Sequence, residues 1–342
     1  MGTRILSSPG YNVSGSGAPF IRTVILPAGG VSTYPYYATI DDDNAITNRT
    51  NPIAGSVTIY DVASNGTTFV VITSGGGYKS SDGINWASIS SMGAANGTFR
   101  KIRASTSTGY FCAIDNTNKV TVSTDGGDSW AQATLSDHAD GALTNGEIGL
   151  NANVFAITRN RSGVGSYVHI TSGGGTSFAT PDKLSTSDVY ASRPLYYLNG
   201  KIVISAHPTL FSGWYLDGSS WTSFSGTGSL PNAGVSPNIV WNGTKTIGTY
   251  SSAGPVRRIS ANTDASAPPT SSWSVISTDQ GNIYAPCWWA GSRFYACSYF
   301  STRGDSQIWC VYSTDGITWN SHAGPTADHI GYCGASNNAI TY

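Results

Sequence analysis

Carboxylates, imidazoles, thiols and guanidinium groups are the side chains that could run chemistry here, and they are sparse. The 342 residues include one glutamate (Glu147), eighteen aspartates, five histidines, five cysteines and twelve arginines. Hydrolysis of a glycosidic bond needs two carboxylates facing one sugar, about 5 to 9.5 Å apart. Asp137, Asp140, Asp182, Asp188, Asp279, Asp305 and Asp328 fall in or near expected loops, yet turn capping and solvation account for each of them without catalysis. His138, His207 and His329 share such loops, with no Ser/His/Asp pattern around them. The run Asp41 to Asn44 lacks the spaced ligands and terminal Glu of a calcium loop and reads as solvated. Cys112, Cys287, Cys297, Cys310 and Cys333 are odd in number and show no CxxC spacing, so buried thiols are expected, with no metal site and no cofactor.

Another set of aspartates recurs. "SSDGINW" (Ser80 to Trp86), "STDGGDSW" (Ser123 to Trp130) and "STDGITW" (Ser313 to Trp319) share a Ser, then Asp-Gly, then Trp. Weaker copies are "SGGGTSF" ending at Phe178, "YLDGSSW" with Asp217, Gly218 and Trp221, and a stretched form from Ser260 through Asp264 to Trp273. The six aromatic ends are 44, 48, 43, 52 and 46 residues apart. A catalytic group is needed once or twice, whereas a residue that returns with every unit serves the unit. Asp82, Asp125, Asp217 and Asp315 can accept hydrogen bonds from turn amides, and Gly83, Gly126, Gly218 and Gly316 relieve positive φ. Ser80, Ser123 and Ser313 open the three full copies, and the aromatic residue packs into its unit.

The elements that would hold these turns are strands. Helix-filling residues are scarce, with six lysines, eleven leucines and two methionines against 41 glycines, 19 tyrosines and 10 tryptophans. In "SVTIYDVASNGTTFVVITSGGGYKSSDGINW" two alternating runs flank Asn65-Gly66 and a third enters the Asp-Gly turn, which makes four strands per unit. Four-stranded units at this period match the blades of a β-propeller. The fold class expected is therefore all-β, one domain over residues 1–342, with six explicit blades. A seventh blade is expected from the two chain ends, with "HIGYCGASNNAITY" giving its first two strands and Arg4 to Ser16 its last two. The distance from Val13 to Trp86 is then 73 residues, which leaves residues 18–50 as an insertion or arm between the seventh and first blades.

At these residues the sequence resembles the Asp-box, or bacterial neuraminidase repeat, of form Ser-x-Asp-x-Gly-x-x-Trp. The resemblance implies that the box sits at the turn between third and fourth strands, on the face opposite an active site. The same box occurs in sialidases, other glycoside hydrolases, sortilin-type receptors, lectin-like propellers and photosystem assembly factors, so it implies a fold and leaves function open. A sialidase carries an arginine triad, a Tyr nucleophile paired with a Glu, and an acid/base Asp. Here Glu147 is the sole glutamate, and "FIRTVILP" around Arg22 is a loose imitation of the family's Arg-Ile-Pro signature.

Ligands are expected on the face away from the boxes. Candidate contacts there are Tyr34, Tyr36 and Tyr37 in the insertion, Arg159 and Arg161, His207 and Phe211, and Tyr299, Arg303 and Asp305. Aromatic rings with a few polar groups suit a pyranose, which offers an apolar face and a rim of hydroxyls. Tyr196, Tyr197, Trp241, Trp288 and Trp289 are expected between blades instead. A formal charge of −1 with 11% charged residues argues against nucleic acid, and no apolar run of membrane-spanning length occurs. No signal peptide is recognised, and the polar, weakly charged composition is similar in style to a phage particle component. The first expectation is a non-enzymatic protein on a virion or extracellular surface that recognises a surface glycan. The second is a virion structural protein that docks onto a neighbouring virion protein through residues 18–50, and the third is a sialidase-like glycoside hydrolase.

Overall fold

The computed structural model describes residues 21–27, 29–30, 36–41, 43–50, 53, 57–92, 99–115, 119–133, 135, 144–151, 154–161, 165–172, 177–179, 181–185, 195–198, 201–205, 210–217, 220–229, 238–251, 257–262, 274–276, 282–290, 292–299, 307–326 and 333–335. They form strands and turns with one 3-10 turn at Ser90–Met92, and the chain is all-β.

In chain order the strands are β1 (Ile21–Pro27), β2 (Gly29–Gly30), β3 (Tyr36–Asp41), β4 (Ile46–Thr50), β5 (Thr58–Ser64), β6 (Phe69–Thr73), β7 (Gly76–Ser80), β8 (Ala87–Ile89), β9 (Phe99–Ala104) and β10 (Phe111–Asp115). There follow β11 (Val120–Ser123), β12 (Ala131–Ala133), β13 (Thr144–Asn151), β14 (Val154–Arg161), β15 (Gly165–Ser172), β16 (Ser177–Phe178), β17 (Asp182–Ser185), β18 (Leu195–Leu198), β19 (Lys201–Ser205) and β20 (Leu210–Asp217). The last ten are β21 (Ser220–Ser229), β22 (Asn238–Trp241), β23 (Thr246–Ser251), β24 (Arg257–Asn262), β25 (Ser274–Ile276), β26 (Asn282–Ala290), β27 (Arg293–Tyr299), β28 (Gln307–Ser313), β29 (Asn320–Thr326) and β30 (Cys333–Ala335).

These described strands pair into seven antiparallel sheets. Sheet 1 has the order β30-β1-β3-β4, and sheet 2 the order β2-β5-β6-β7-β8. Sheets 3, 5, 6 and 7 follow the chain as β9 to β12, β18 to β21, β22 to β25 and β26 to β29, and sheet 4 runs β13-β14-β15, with β16 and β17 both paired to β15. Asn-Gly turns join first to second strands where the sequence places them. Asn65 Oδ1 accepts from the amides of Thr67 and Thr68, and Asn242 Oδ1 from those of Thr244 and Lys245, with Gly66 and Gly243 at positive φ.

The core is a series of layers between sheets. All five residues of β6 are buried, as are all five of β10, because each strand has both faces covered. Alternation sends Val70 and Ile72 against Phe99, Ile102 and Phe111 of sheet 3, while Phe69 and Val71 meet Val24 and Tyr37 of sheet 1. Equivalent layers join Ile114 of sheet 3 to Ile148 and Phe155 of sheet 4, Val168 of sheet 4 to Ile202 and Ile204 of sheet 5, and Ile247 of sheet 6 to Phe294 and Val311 of sheet 7. Each fully buried aliphatic or phenyl side chain contributes roughly 1.5–3 kcal/mol. The first strands also lie against one another. β5 contacts β9, β9 contacts β13, β13 contacts β18, β18 contacts β22, β22 contacts β26, β26 contacts β30, and β30 contacts β5.

Residues 18–50 do not fit the expected arm. Residues 21–50 supply β1, β3 and β4 of sheet 1, and β30 pairs with β1 through Ile25 to Ala335, Leu26 to Gly334 and Pro27 to Cys333. The physical reason is legible afterwards, since Val24, Tyr37 and Ile40 are fully buried, with Tyr37 and Ile40 on opposite faces of β3, so both faces of that strand are covered. Between β1 and β3 the chain crosses to sheet 2, where Gly29 and Gly30 pair with Ile59 and Thr58 on the edge of β5 away from β6. Arg4 to Ser16, expected to fill two strands of this blade, lie outside the described residues.

Candidate functional site

Each sheet has two ends. Turns between first and second strands and between third and fourth strands occupy one end, and the remaining connections occupy the other. The three full copies of the recurring motif lie at the first end, between β7 and β8, β11 and β12, and β28 and β29. Their aspartates are consumed by their own turns. Asp82 Oδ1 accepts from Ser80 Oγ (2.8 Å) and the amides of Ile84 (2.8 Å) and Asn85 (2.7 Å), and Asn85 Nδ2 donates to Oδ2 (2.7 Å). Asp125 accepts from Ser123 Oγ and the amides of Asp128 and Ser129, and Asp315 from Ser313 Oγ and the amides of Ile317 and Thr318.

Those bonds set the acidity. The amides of Ile317 and Thr318 hold the Asp315 carboxyl at about 2. At Asp82 partial burial acts in the opposite direction, but the Asn85 amide and side chain, the Ile84 amide and the Ser80 hydroxyl outweigh it and bring the group to about 2. Asp125 is lowered in the same way, with desolvation overcome by the Ser129 hydroxyl and amide. Carboxylates ionised this firmly are poorly matched to proton transfer near neutral pH.

The same turns join sheets. Trp130 Nε1 donates to the Gly127 carbonyl (3.1 Å) and Trp319 Nε1 to that of Gly316 (3.3 Å). A Cβ on Gly127 would lie 3.0 Å from Val70 of sheet 2, and one on Gly316 would lie 2.7 Å from Ile247 of sheet 6. Each of these turns is thus pressed onto the second strand of the preceding sheet. In the first copy Tyr37 of sheet 1 donates its hydroxyl to the Gly83 carbonyl (3.0 Å), and Trp86 packs in the same layer between sheets 1 and 2. Burial is the main influence on the Tyr37 phenol and pushes it up. Lys79 pairs with Asp128, Lys245 donates to the Asp315 carbonyl, and Asn65 Nδ2 donates to the Gly109 carbonyl (2.9 Å), each across a sheet boundary. The Asp41 run also belongs here. It is the turn between β3 and β4, where Asp41 Oδ1 accepts from the amides of Asp43 and Ala45, and Tyr295 of sheet 7 donates to Asn44 Oδ1 (3.2 Å).

The fourth copy departs from the expectation. Asp217 pairs directly with Ser220 and Leu216 with Trp221, so β20 and β21 stay paired up to Asp217, and Gly218 lies outside the described residues. Tyr215 stands where the full copies have serine, which removes the hydroxyl that opens the turn. Trp221 Nε1 is buried without an acceptor among the described residues.

At the opposite end, two expected ligand contacts are corrected. Tyr37 is buried, with 1% of its surface exposed, and spends its hydroxyl on Gly83. Arg159 is a strand residue 4% exposed, with Nη1 3.2 Å from His169 Nε2, while His169 Nδ1 lies 3.1 Å from the Ala179 carbonyl. That arrangement assigns the His169 proton to Nδ1 and leaves Nε2 to accept from the guanidinium. Both corrections have one cause, which is that neighbouring sheets cover both faces of the strands concerned. Tyr36, Arg161, Phe211 and Tyr299 fall in β3, β14, β20 and β27, with side chains outside the described residues, as are Tyr34, His207, Arg303 and Asp305 altogether.

The structure places different cations at this end. β9 reads Phe-Arg-Lys-Ile-Arg-Ala, with Arg100 exposed and Lys101 half-buried near its start, and Lys119 is half-buried just before β11. Arg103 donates to Asp61 Oδ2 (2.8 Å), which also accepts from the Ile102 amide (3.1 Å), a link between the first strands of sheets 2 and 3. The charges in an otherwise strand-like run were the available signal. Guanidinium and ammonium donors suit hydroxyl, carboxylate or sulfate oxygens of a ligand. Among the described side chains no three His, Cys, Asp or Glu groups gather to hold a metal.

No protein-family model matches the chain, and no curated protein sequence matches it. Solved structures do. YCF48 from Cyanidioschyzon merolae is 13% identical with a TM-score of 0.54, over 82% of this chain and 89% of that one. Apo AztD from Citrobacter koseri is 9% identical with a TM-score of 0.57, over 93% of this chain and 99% of that one. A puromycin hydrolase S511A mutant complexed with PGG is 13% identical with a TM-score of 0.60, over 92% of this chain and 54% of that one. These likenesses concern the fold alone, and the fold they share is the β-propeller.

Proposed function

We propose that the chain is a non-enzymatic propeller of seven blades, closed between its termini and held by Asp-box turns, that recognises a surface carbohydrate as part of a virion. Support for the ring comes from the first strands, whose contacts run from β5 through β9, β13, β18, β22 and β26 to β30 and back to β5. Support for binding comes from the segregation of the two ends. The observation that carries it is that the box carboxylates are saturated within their own turns, while Arg100 and Lys119 stand at the opposite end of the sheets.

The test is labelled intact protein on an array of bacterial surface polysaccharides and sialosides. Selective binding with the printed sugar left intact is expected, weakened by Arg100→Ala. Loss of the printed sugar would replace the binding protein by a hydrolase, and silence across the array would move the reading to a particle-assembly role.

A further inference from the structure

The chain contains five Asn-Gly pairs, at Asn65, Asn96, Asn145, Asn199 and Asn242, and the side chains of Asn65 and Asn242 are described. Their two turns share one backbone. Asn65 N donates to the Thr68 carbonyl (3.1 Å) and Asn242 N to the Lys245 carbonyl (3.2 Å), while Gly66 and Gly243 have φ of 93° and 100°. Each asparagine Oδ1 accepts three hydrogen bonds, from Thr67 N, Thr67 Oγ1 and Thr68 N in the first turn and from Thr244 N, Thr244 Oγ1 and Lys245 N in the second. Donors aimed at a carboxamide oxygen stabilise the oxyanion that forms when a nucleophile adds to its carbon. The nucleophile beside it is the amide nitrogen of the following glycine, which carries no side chain to shield it.

The nucleophile and the leaving group are held in one turn and not in the other. The Gly66 amide donates to Ser64 Oγ (3.1 Å), Asn65 Nδ2 donates to the Gly109 carbonyl of sheet 3 (2.9 Å), and Asn65 is 6% exposed. In the second turn Trp241 stands where the first has Ser64, so the Gly243 amide meets no hydroxyl there. Asn242 is partly exposed, neither its Nδ2 nor the Gly243 amide has a hydrogen-bond partner among the described residues, and nothing lies within 4 Å of a Cβ placed on Gly243.

We propose that Asn242 is a site of spontaneous covalent modification, losing its carboxamide nitrogen through a cyclic imide with Gly243, while the fold keeps Asn65 intact. The Gly243 nitrogen gives its proton to a solvent base and bonds to Asn242 Cγ, the Cγ–Nδ2 bond breaks, and Nδ2 departs as ammonia with a proton from solvent. Water then opens the imide. Cleavage of the new Cγ–N bond leaves aspartate, and cleavage of the original peptide bond leaves isoaspartate, with nothing oxidised or reduced. Both products add a negative charge, and isoaspartate also lengthens the main chain by one carbon. The turn lies against sheet 7, where Lys245 donates to the Asp315 carbonyl and a Cβ on Gly316 would lie 3.1 Å from Lys245 Cδ. Aspartate keeps an acceptor for the Thr244 and Lys245 amides and preserves this junction, whereas isoaspartate loosens it.

The test ages the folded full chain in mildly alkaline buffer made with heavy-oxygen water, beside the same chain unfolded in urea, and weighs the peptides at intervals. In the folded chain Asn242 is expected to convert roughly tenfold or more faster than Asn65, because two hydrogen bonds must be given up at Asn65. Aspartate and isoaspartate should both appear at position 242, each carrying one heavy oxygen, and the two asparagines should convert at similar rates in urea. Thr244→Val, at an exposed position, removes one donor to Oδ1 and slows conversion of Asn242 by roughly two- to tenfold. Asn242 left intact in the folded chain after the unfolded one has converted, equal rates at Asn65 and Asn242 in the folded chain, or aspartate without isoaspartate would overturn the proposal. None of these readouts depends on glycan binding.

Discussion

Asp82 accepts four hydrogen bonds from within its own turn, and its neighbours leave it no role as a proton donor. Its carboxyl titrates at about 2 in the folded chain against 3.8 for a free aspartate. A group whose folded pKa is depressed stabilises the fold above its unfolded pKa and loses that contribution as pH falls through the folded one. Asp82→Ala should therefore cost about 1 kcal/mol at pH 7, a modest figure because the turn is solvent-screened. The difference from wild type should shrink between about pH 4 and pH 2. Urea midpoints of both proteins over that range check it, and a difference that stays constant down to pH 2 would show that the carboxylate charge is not what matters. Tyr37 and Arg159 teach the complementary lesson. Both are polar, both sit near expected loops, and both are buried because strand length and sheet packing are invisible in residue type alone.

The turn as an element does more than its repeated letters imply. Two glycines follow Asp125, and the first lines up with Gly83 and Gly316 in the sequence pattern. In space the second takes the place of Gly316. The Gly127 amide donates to Ser123 Oγ and its carbonyl receives the Trp130 indole, as Gly316 does with Ser313 and Trp319. Both Gly126 and Gly127 have positive φ, but a Cβ on Gly126 meets only Asn65 Nδ2 at 3.9 Å, whereas one on Gly127 meets Val70 at 3.0 Å. Left-handed strain of about 1–2 kcal/mol applies to an alanine at either position. Gly127→Ala should lose more than Gly126→Ala because it also separates sheets 2 and 3. Thermal midpoints of the two variants decide this, and equal losses would mean that the turn merely tolerates its neighbour. The Asp-Gly-Trp spacing made the turns legible, and the extra residue in the second copy shows in the sequence, but which of its two glycines packs was legible only from the hydrogen bonds.

At the scale of the whole molecule, antiparallel four-stranded units followed from a period of 43 to 52 residues that runs through six of them, but the assignment of the chain ends did not. Two C-terminal strands are expected beside two N-terminal ones, whereas among the described residues β30 pairs with β1 in a sheet completed by β3 and β4. The apolar residues Ile21, Val24 to Leu26, Tyr36, Tyr37 and Ile40 were the signal, masked by a better textual match between residues 4–16 and the half-unit around the first Asp-Gly turn. The consequence is that three residue pairs, Ile25 to Ala335, Leu26 to Gly334 and Pro27 to Cys333, carry the only strand pairing between the two ends of the chain among the described residues. β30 also stands between β26 and β5, so it fills the junction of sheets 7 and 2. Removing residues 333–342 should expose the edge of β1 and uncouple the first and last sheets. Unfolding that is one transition in the intact chain should then broaden or split, and the full-length midpoint should return when a peptide of residues 327–342 is added in excess. A truncated chain that unfolds as sharply and at the same temperature as the intact one would mean that closure rests on the layers between sheets and not on the terminal strand.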